Sequence, residues 1–436
     1  MKVSFPSRRW TGWLAGAALL LAAHGLAAQN LPSAKPEDVG LSSERLGRIG
    51  TWLKAEVQAK RIPGAVVMVG RNGKLAYSQA LGNQDPARPE PMTGSSIFRL
   101  YSMSKPLTTV VAMMMVEEGK LQLDAPLSRY IPSFANVKVG VEKTDPATGV
   151  KSLDLVPPRR PITVQDLMRH TSGLTYGVFA SFGNLQVENA YRDAGVASTV
   201  RSADPAAKFT NAEIADKLAA LPLSYQPGST WNYGFSVEVL GRVLEVVSGQ
   251  SLYTVMRTRL LDPLGMKDTG FFVTEPERQA RLTEPMPHDV EAATIRNVRE
   301  VQKFESGGGG MVSTAQDYSR FLQMMLNGGI LDGKRYLSPK TIEYMTSDHL
   351  GTSVSTGAFY PAGPGYGFGL GFAVRKVSGE ASSNGSAGDY YWGGAGGTYM
   401  WVDPKTNMFV VLMMQAPTRT DYKSILRNMV YAAVEK

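Results

Sequence analysis

Apolar residues in LSSERLGRIGTWLKAEVQAK recur as Leu46, Ile49, Leu53 and Val57, one face of a helix behind a capping serine. The pattern then changes to the β-rich runs of GAVVMVGRNGKLAYSQALG, broken by Asn72-Gly73. Both residues of that dipeptide tolerate positive φ, which predicts a tight hairpin. Near the other end, GGTYMWVDPKTNMFVVLMMQ predicts a strand pair around a turn at Asp403 to Asn407. DYKSILRNMVYAAVEK then sets Ile425, Leu426, Met429 and Val430 on one helical face. Between these ends TVQDLMRHTSGL, NAEIADKLAAL, FSVEVLGRVLEVVSG and AQDYSRFLQMMLNGG carry helical spacing. Strands at both termini with helices between them predict an α/β fold. Both ends build one lobe, at about 37–100 and 360–436, and a mostly helical lobe at about 101–359 is inserted. The polar VGVEKTDPATGVKSLDLVPPRRP and the weakly periodic FASFGNLQVENAYRDAGVASTVRSADPAAK read as surface loops.

The first residues, MKVSFPSRRWTGWLAGAALLLAAHGLAAQN, place Lys2, Arg8 and Arg9 before an apolar stretch from Trp10 to about Ala23, then small residues at Ala27 and Ala28. That is the pattern of a secretory signal over 1–28, leaving 29–436 as a single domain in the periplasm or the medium. The stretch is short for a span and no later run is apolar enough, so no stable membrane span is expected once the signal is removed. Arg8-Arg9 leaves Sec and twin-arginine export both open. An exported chain without cysteine cannot rely on disulfides, and its 43% hydrophobic content must hold it by core burial. The formal charge is +8, but three of the cations lie in the leader and no dense Lys/Arg block follows, so no nucleic-acid partner is expected.

Absent residues narrow the chemistry further. Without cysteine there is neither a thiol nucleophile nor a thiolate metal site, and His170, His288 and His349 show no metal-ligand spacing. There is no GxSxG elbow. The run Gly307 to Gly310 lacks the Lys-Ser/Thr of a phosphate loop and reads as a flexible turn ahead of a helix starting near Thr314. RLYSMSKPLTTVVAMMMVEEGK remains. Ser102 and Lys105, three apart, share a helical face, where first-turn N–H groups and the helix dipole favour a developing oxyanion. A serine hydroxyl needs a base, and a lysine serves only when its neutral form is favoured, so a third group is required. YQPGSTWNYGFSVEVLGRVLE offers Tyr233, directly before an amphipathic helix, as a proton relay. On spacing alone, Ser102 reads equally as the polar start of a Met-rich helix and Tyr233 as a half-buried aromatic.

Order along the chain adds what spacing lacks. FRLYSMSK, LQLDAPLSRYIP, ITVQDLMRHTSGL, YQPGSTWNYGFSVEVLG, DPLGMKDTGF, GGGGMVSTAQDYSRFLQMML and YGFGLGFAV through YWGGAGGTYMWVDP follow one another as in the serine β-lactamase and penicillin-recognising family. The chain most resembles its esterase branch, the family VIII carboxylesterases, which are similar to class C β-lactamases; the likeness runs from about Ala65 to Met414. The resemblance implies a β-lactamase/transpeptidase-like fold, an antiparallel sheet flanked by helices with an inserted helical lobe. It implies Ser102 as the acylated nucleophile, Lys105 as its base partner, and Tyr233 as the group that activates the serine and then the deacylating water. The third motif falls at Trp392-Gly393-Gly394 beside the substrate, with the Ala395 N–H as the second oxyanion donor next to that of Ser102. No cofactor and no metal are implied. His170 takes a packing and hydrogen-bonding role, and Asp124 a turn or capping role.

Two positions depart from the penicillin-binding proteins and class C enzymes. Their third motif begins with a lysine that helps bind the substrate carboxylate; Trp392 replaces that charge-assisted contact with apolar surface. Two residues after Tyr233, where they carry an asparagine amide, stands Phe235, and Asn232 is expected to point elsewhere. Both departures favour neutral acyl esters over anionic lactams. The expected function is an exported carboxylesterase that hydrolyses short to medium acyl esters through an acyl-enzyme, with Lys105 and Tyr233 as general bases and a small ester, amide or lactam as its partner. The alternatives are a β-lactamase or D-alanyl-D-alanine carboxypeptidase, and a non-catalytic scaffold. Acyl transfer to acceptors other than water occurs on this fold as well.

Overall fold

Asn72 and Gly73 take φ of +52° and +77°, the left-handed pair that turns strand β1 (Gly64–Arg71) directly into β2 (Lys74–Gly82). The computed structural model to which these angles belong describes residues 1–3, 30–178, 184–197, 208–289, 295–357, 359–418 and 421–436. All but the first three residues of the expected leader lie outside that set. Strands β3 (Tyr366–Phe368), β4 (Ala373–Arg375), β5 (Tyr390–Gly393), β6 (Tyr399–Asp403) and β7 (Met408–Met414) form a meander whose last member pairs with β1. The product is a seven-stranded antiparallel sheet in the order β2-β1-β7-β6-β5-β4-β3, with Ala65 opposite Met414 and Arg71 opposite Met408.

Five longer helices cover the sheet or carry the site: α1 (Ser43–Gln58), α2 (Ser104–Glu117), α3 (Ser236–Ser248), α4 (Ala315–Leu326) and α5 (Tyr422–Ala432). Successive strand residues face opposite sides, so the sheet divides the core in two. Val67, Val69, Trp401, Val410 and Leu412 join Leu46, Ile49 and Leu53 of α1 and Leu426 and Val430 of α5. On the other face Val66, Met68, Met400, Val411 and Met413 meet α2, α3 and α4. A fully buried side chain of this kind contributes roughly 1.5–3 kcal/mol relative to exposure, which is how a chain without cysteine is held.

Two segments that the sequence presents as loops are ordered elements. Val139–Thr144 and Lys151–Val156 form an antiparallel ribbon, closed by a turn in which the Asp145 carboxylate accepts the Ala147 and Thr148 N–H groups. Val139 and Val141, and Leu153 and Leu155, alternate with other residues at period two, a pattern masked by the neighbouring prolines and glycines. In the second segment Leu185–Asp193 is a helix capped by Asn184 that buries Val187, Glu188 and Tyr191. Its inward face includes the carboxylate of Glu188, bonded to Thr175, which interrupts the apolar period. Residues 179–183 and 198–207 of that segment lie outside the described residues.

Candidate active site

Phe98–Arg99, paired with Val312–Ser313, delivers the chain to Tyr101, whose φ of +48° is left-handed without being glycine. That conformation costs about 1–3 kcal/mol and leads into a 3-10 turn, Tyr101–Met103, continuous with α2. Ser102 therefore stands in the 3-10 turn ahead of the α-helix, not in its first α-helical turn. Lys105, three residues on in the first turn of α2, lies on the same side, with Nζ 3.3 Å from Ser102 Oγ. α2 buries Leu107, Val110, Val111, Met113 and Met115, so Lys105, 1% exposed, reaches the site from inside a core helix.

Tyr233 lies three residues before α3. A Cβ on Gly234 would overlap the Leu174 carbonyl, so glycine is what lets this segment lie against Leu174-Thr175. The Tyr233 phenol donates to Ser102 Oγ at 2.6 Å. Its ring is flanked by His170 at 4.9 Å and stacked on Trp231 at 5.7 Å, and Lys105 Nζ lies 4.7 Å from its centroid. The three residues chosen from the sequence thus meet at one oxygen. His170 packs as expected, but neither ring nitrogen has a hydrogen-bond partner among the described residues; only its backbone carbonyl bonds, to the Asn232 N–H at 2.8 Å. Burial, with Lys105 nearby, holds its imidazole well below the usual range and therefore neutral. The Asn232 amide donates to Leu174 O at 3.0 Å, away from Ser102.

Further partners of Lys105 escape the sequence reading. Its Nζ also donates to the Tyr176 hydroxyl at 3.0 Å and to the Gly308 carbonyl at 2.7 Å. Tyr176 donates in turn to Glu238 Oε1 at 3.0 Å, and Phe235 packs on its ring with centroids 4.8 Å apart. Burial, with Glu238 adding to it, pushes the Tyr176 phenol well above its usual range; burial also raises the Glu238 carboxyl, against the pull of Lys105. The run Gly307 to Gly310, expected to be a flexible turn, is largely buried. The Gly307 carbonyl accepts the Thr108 hydroxyl at 2.8 Å, and a Cβ on Gly308 would overlap the Glu238 carboxylate. The glycines are there for close approach. A charged residue inside the apolar period of FSVEVLG is the signal that could have drawn attention to Glu238.

The third motif lies on β5 and the turn after it. Trp392, 4% exposed, places its ring 5.7 Å from that of Tyr233 and 5.3 Å from that of Phe368. Gly393 faces the opposite side of the sheet, where a Cβ would come 3.0 Å from Lys423 Nζ of α5. At Gly394 a Cβ would overlap the Leu100 carbonyl and the Thr398 hydroxyl. Thr398 Oγ1 donates to Leu100 O at 3.1 Å, and the buried Gln415 amide bridges the Arg99 N–H at 3.1 Å to the Gly396 carbonyl at 3.3 Å. These bonds fasten the β5–β6 turn, which carries Ala395, to the segment that carries Ser102. Ala395 is exposed, and its N–H has no hydrogen bond within the described residues.

A family model described as Beta-lactamase matches residues 50–433. The chain belongs to the beta-lactamase family. Protein Rv1367c of Mycobacterium tuberculosis (strain ATCC 25618 / H37Rv) is 36% identical over 369 residues, covering 81% of this chain and 86% of that one. Esterase EstB of Burkholderia gladioli is 31% identical over 413 residues, covering 88% of this chain and 95% of that one. Among solved structures, EstCE1, a hydrolase with promiscuous acyltransferase activity, superposes with a TM-score of 0.70 at 27% identity, over 89% of this chain and 99% of that one. This beta-lactamase-family chain is a serine hydrolase with the mixed α/β, antiparallel-sheet fold of its relatives.

Proposed function

We propose that the protein is an exported carboxylesterase that hydrolyses short to medium acyl esters through an acyl-enzyme on Ser102. The observation that carries this reading is the convergence on Ser102 Oγ of the Tyr233 hydroxyl at 2.6 Å and Lys105 Nζ at 3.3 Å. Once the Lys105 and Tyr233 pair has released one proton, it accepts that of Ser102 as Oγ attacks the ester carbonyl. The tetrahedral oxyanion is received by the N–H groups of Ser102 and Ala395. Collapse expels the alcohol, which takes its proton through Tyr233 and leaves Ser102 acylated. Water then gives a proton to Tyr233, attacks the acyl carbon, and Ser102 recovers its hydrogen as the acid departs. Trp392, where a lysine would pair with a carboxylate, favours neutral acyl groups. The name of Esterase EstB supports ester cleavage, and the leader pattern of Lys2, Arg8 and Arg9 before an apolar stretch supports export.

Initial rates on p-nitrophenyl butyrate and nitrocefin, with Ser102→Ala as blank, test the reading. The ester should turn over and the lactam scarcely, and Tyr233→Phe should lower kcat by about 10²–10⁴ with the fold intact. Near-normal ester turnover by Ser102→Ala overturns the assignment, and dominant nitrocefin hydrolysis makes the protein a β-lactamase.

A further inference from the structure

Lys105 heads a chain of hydrogen bonds that the acyl-transfer steps do not themselves require. Its Nζ has three neighbouring oxygens: Ser102 Oγ at 3.3 Å, Tyr176 OH at 3.0 Å and Gly308 O at 2.7 Å. A backbone carbonyl only accepts, so the direction towards Gly308 always holds a proton. A phenol both donates and accepts, and would satisfy the lone pair of a neutral amine as readily as Ser102 does. Glu238 decides which it does. Its carboxylate Oε1, 3.0 Å from Tyr176 OH, accepts the hydrogen bond of the phenol, which keeps its proton and turns a lone pair to Lys105.

We propose that Glu238 is a positioning residue: acting through the Tyr176 hydroxyl, it commits two of the three hydrogen-bonding directions of Lys105 to acceptors and so reserves the third for the Ser102 proton. This rests on the Ser102, Lys105 and Tyr233 reading above.

The relay is built into the core. Lys105 is 1%, Glu238 5% and Tyr176 9% exposed. Ser306 adds a second donor to Oε1 at 3.3 Å, and the absent side chain of Gly308 makes room for the carboxylate. A carboxylate this deep is costly unless it is bonded, and the Tyr176 and Ser306 hydroxyls both donate to Oε1. His170 and Tyr233 flank Lys105, and Arg296 acts on Tyr176 from the segment after residue 294. Tyr176 retains its proton because burial opposes the phenolate, so it cannot replace Tyr233 as the base.

The test is a double-variant cycle on p-nitrophenyl butyrate with Glu238→Gln, Tyr176→Phe and both together, active sites being counted with a fluorophosphonate probe. Glu238→Gln replaces an obligate acceptor by a group that also donates, so kcat should fall about tenfold while KM stays within about twofold. In the Tyr176→Phe background the same substitution should change kcat by less than about twofold, because the hydroxyl through which it acts is gone. Wild-type kcat in Glu238→Gln, or an undiminished loss in the Tyr176→Phe background, overturns the proposal. Failure of the probe to label Ser102 in the wild type would instead sink the reading beneath it, and the labelling reports that separately. If Glu238→Gln does not fold, Glu238→Asp, which withdraws the carboxylate by one methylene, is expected to show the same loss and the same silence behind Tyr176→Phe.

Discussion

Gly308 shows how a residue with no side chain determines the chemistry of its neighbours. Its carbonyl holds Lys105 at 2.7 Å, and its bare Cα lets the Glu238 carboxylate lie against the backbone. Gly308→Ala should therefore displace both groups at once. Overpacking of this kind costs about 1–3 kcal/mol, measurable by urea unfolding, and ester turnover should fall further than that loss of stability alone explains. Ser102, Lys105 and Tyr233 were legible in the sequence because each sits in a short motif whose order along the chain is distinctive. Tyr176, Glu238 and Gly308 were not, since their relation to Lys105 exists only once three distant segments meet. Glycine in particular reads as freedom in a sequence, and here it marks a place where nothing larger fits.

Between elements, a buried group of charges joins the sheet to the C-terminal helix. Asp389, ahead of β5, is fully buried between Arg375 of β4, at 2.8 Å, and Arg427 of α5. Arg375 and Arg427 also donate to the carbonyls of Ser383 and Asn384, and Arg427 to the Tyr399 hydroxyl. Asp389→Asn would leave two guanidinium groups in the core without their anion, and should destabilise the protein by about 3–5 kcal/mol in denaturant titration. Elements were legible where one period held: α1, the β1–β2 hairpin, the β6–β7 pair and α5 follow their apolar spacing. The 139–156 ribbon and the 185–193 helix were hidden, the first by prolines and glycines beside it and the second by a carboxylate on its inner face.

For the molecule as a whole, Asp317 in the first turn of α4 links stability to pH. Burial raises its carboxyl from the ordinary 3.8 to about 6, even though it accepts the Thr269 hydroxyl and the Asp268 N–H. The folded chain holds that proton more tightly than the unfolded one. This contribution to stability is complete below about pH 3.8 and is lost as the pH rises through about 6. Relative to Asp317→Asn, the wild type should thus lose at most about 3 kcal/mol of unfolding free energy between pH 4 and 7. A larger consequence follows from the pairing of β1 with β7, Ala65 opposite Met414. The β1–β2 hairpin is among the first parts of the chain to be synthesised, and the partner for its free edge is among the last. Until β7 has been made that edge is an unpaired, apolar strand, and a pairing between such distant parts of the chain slows folding.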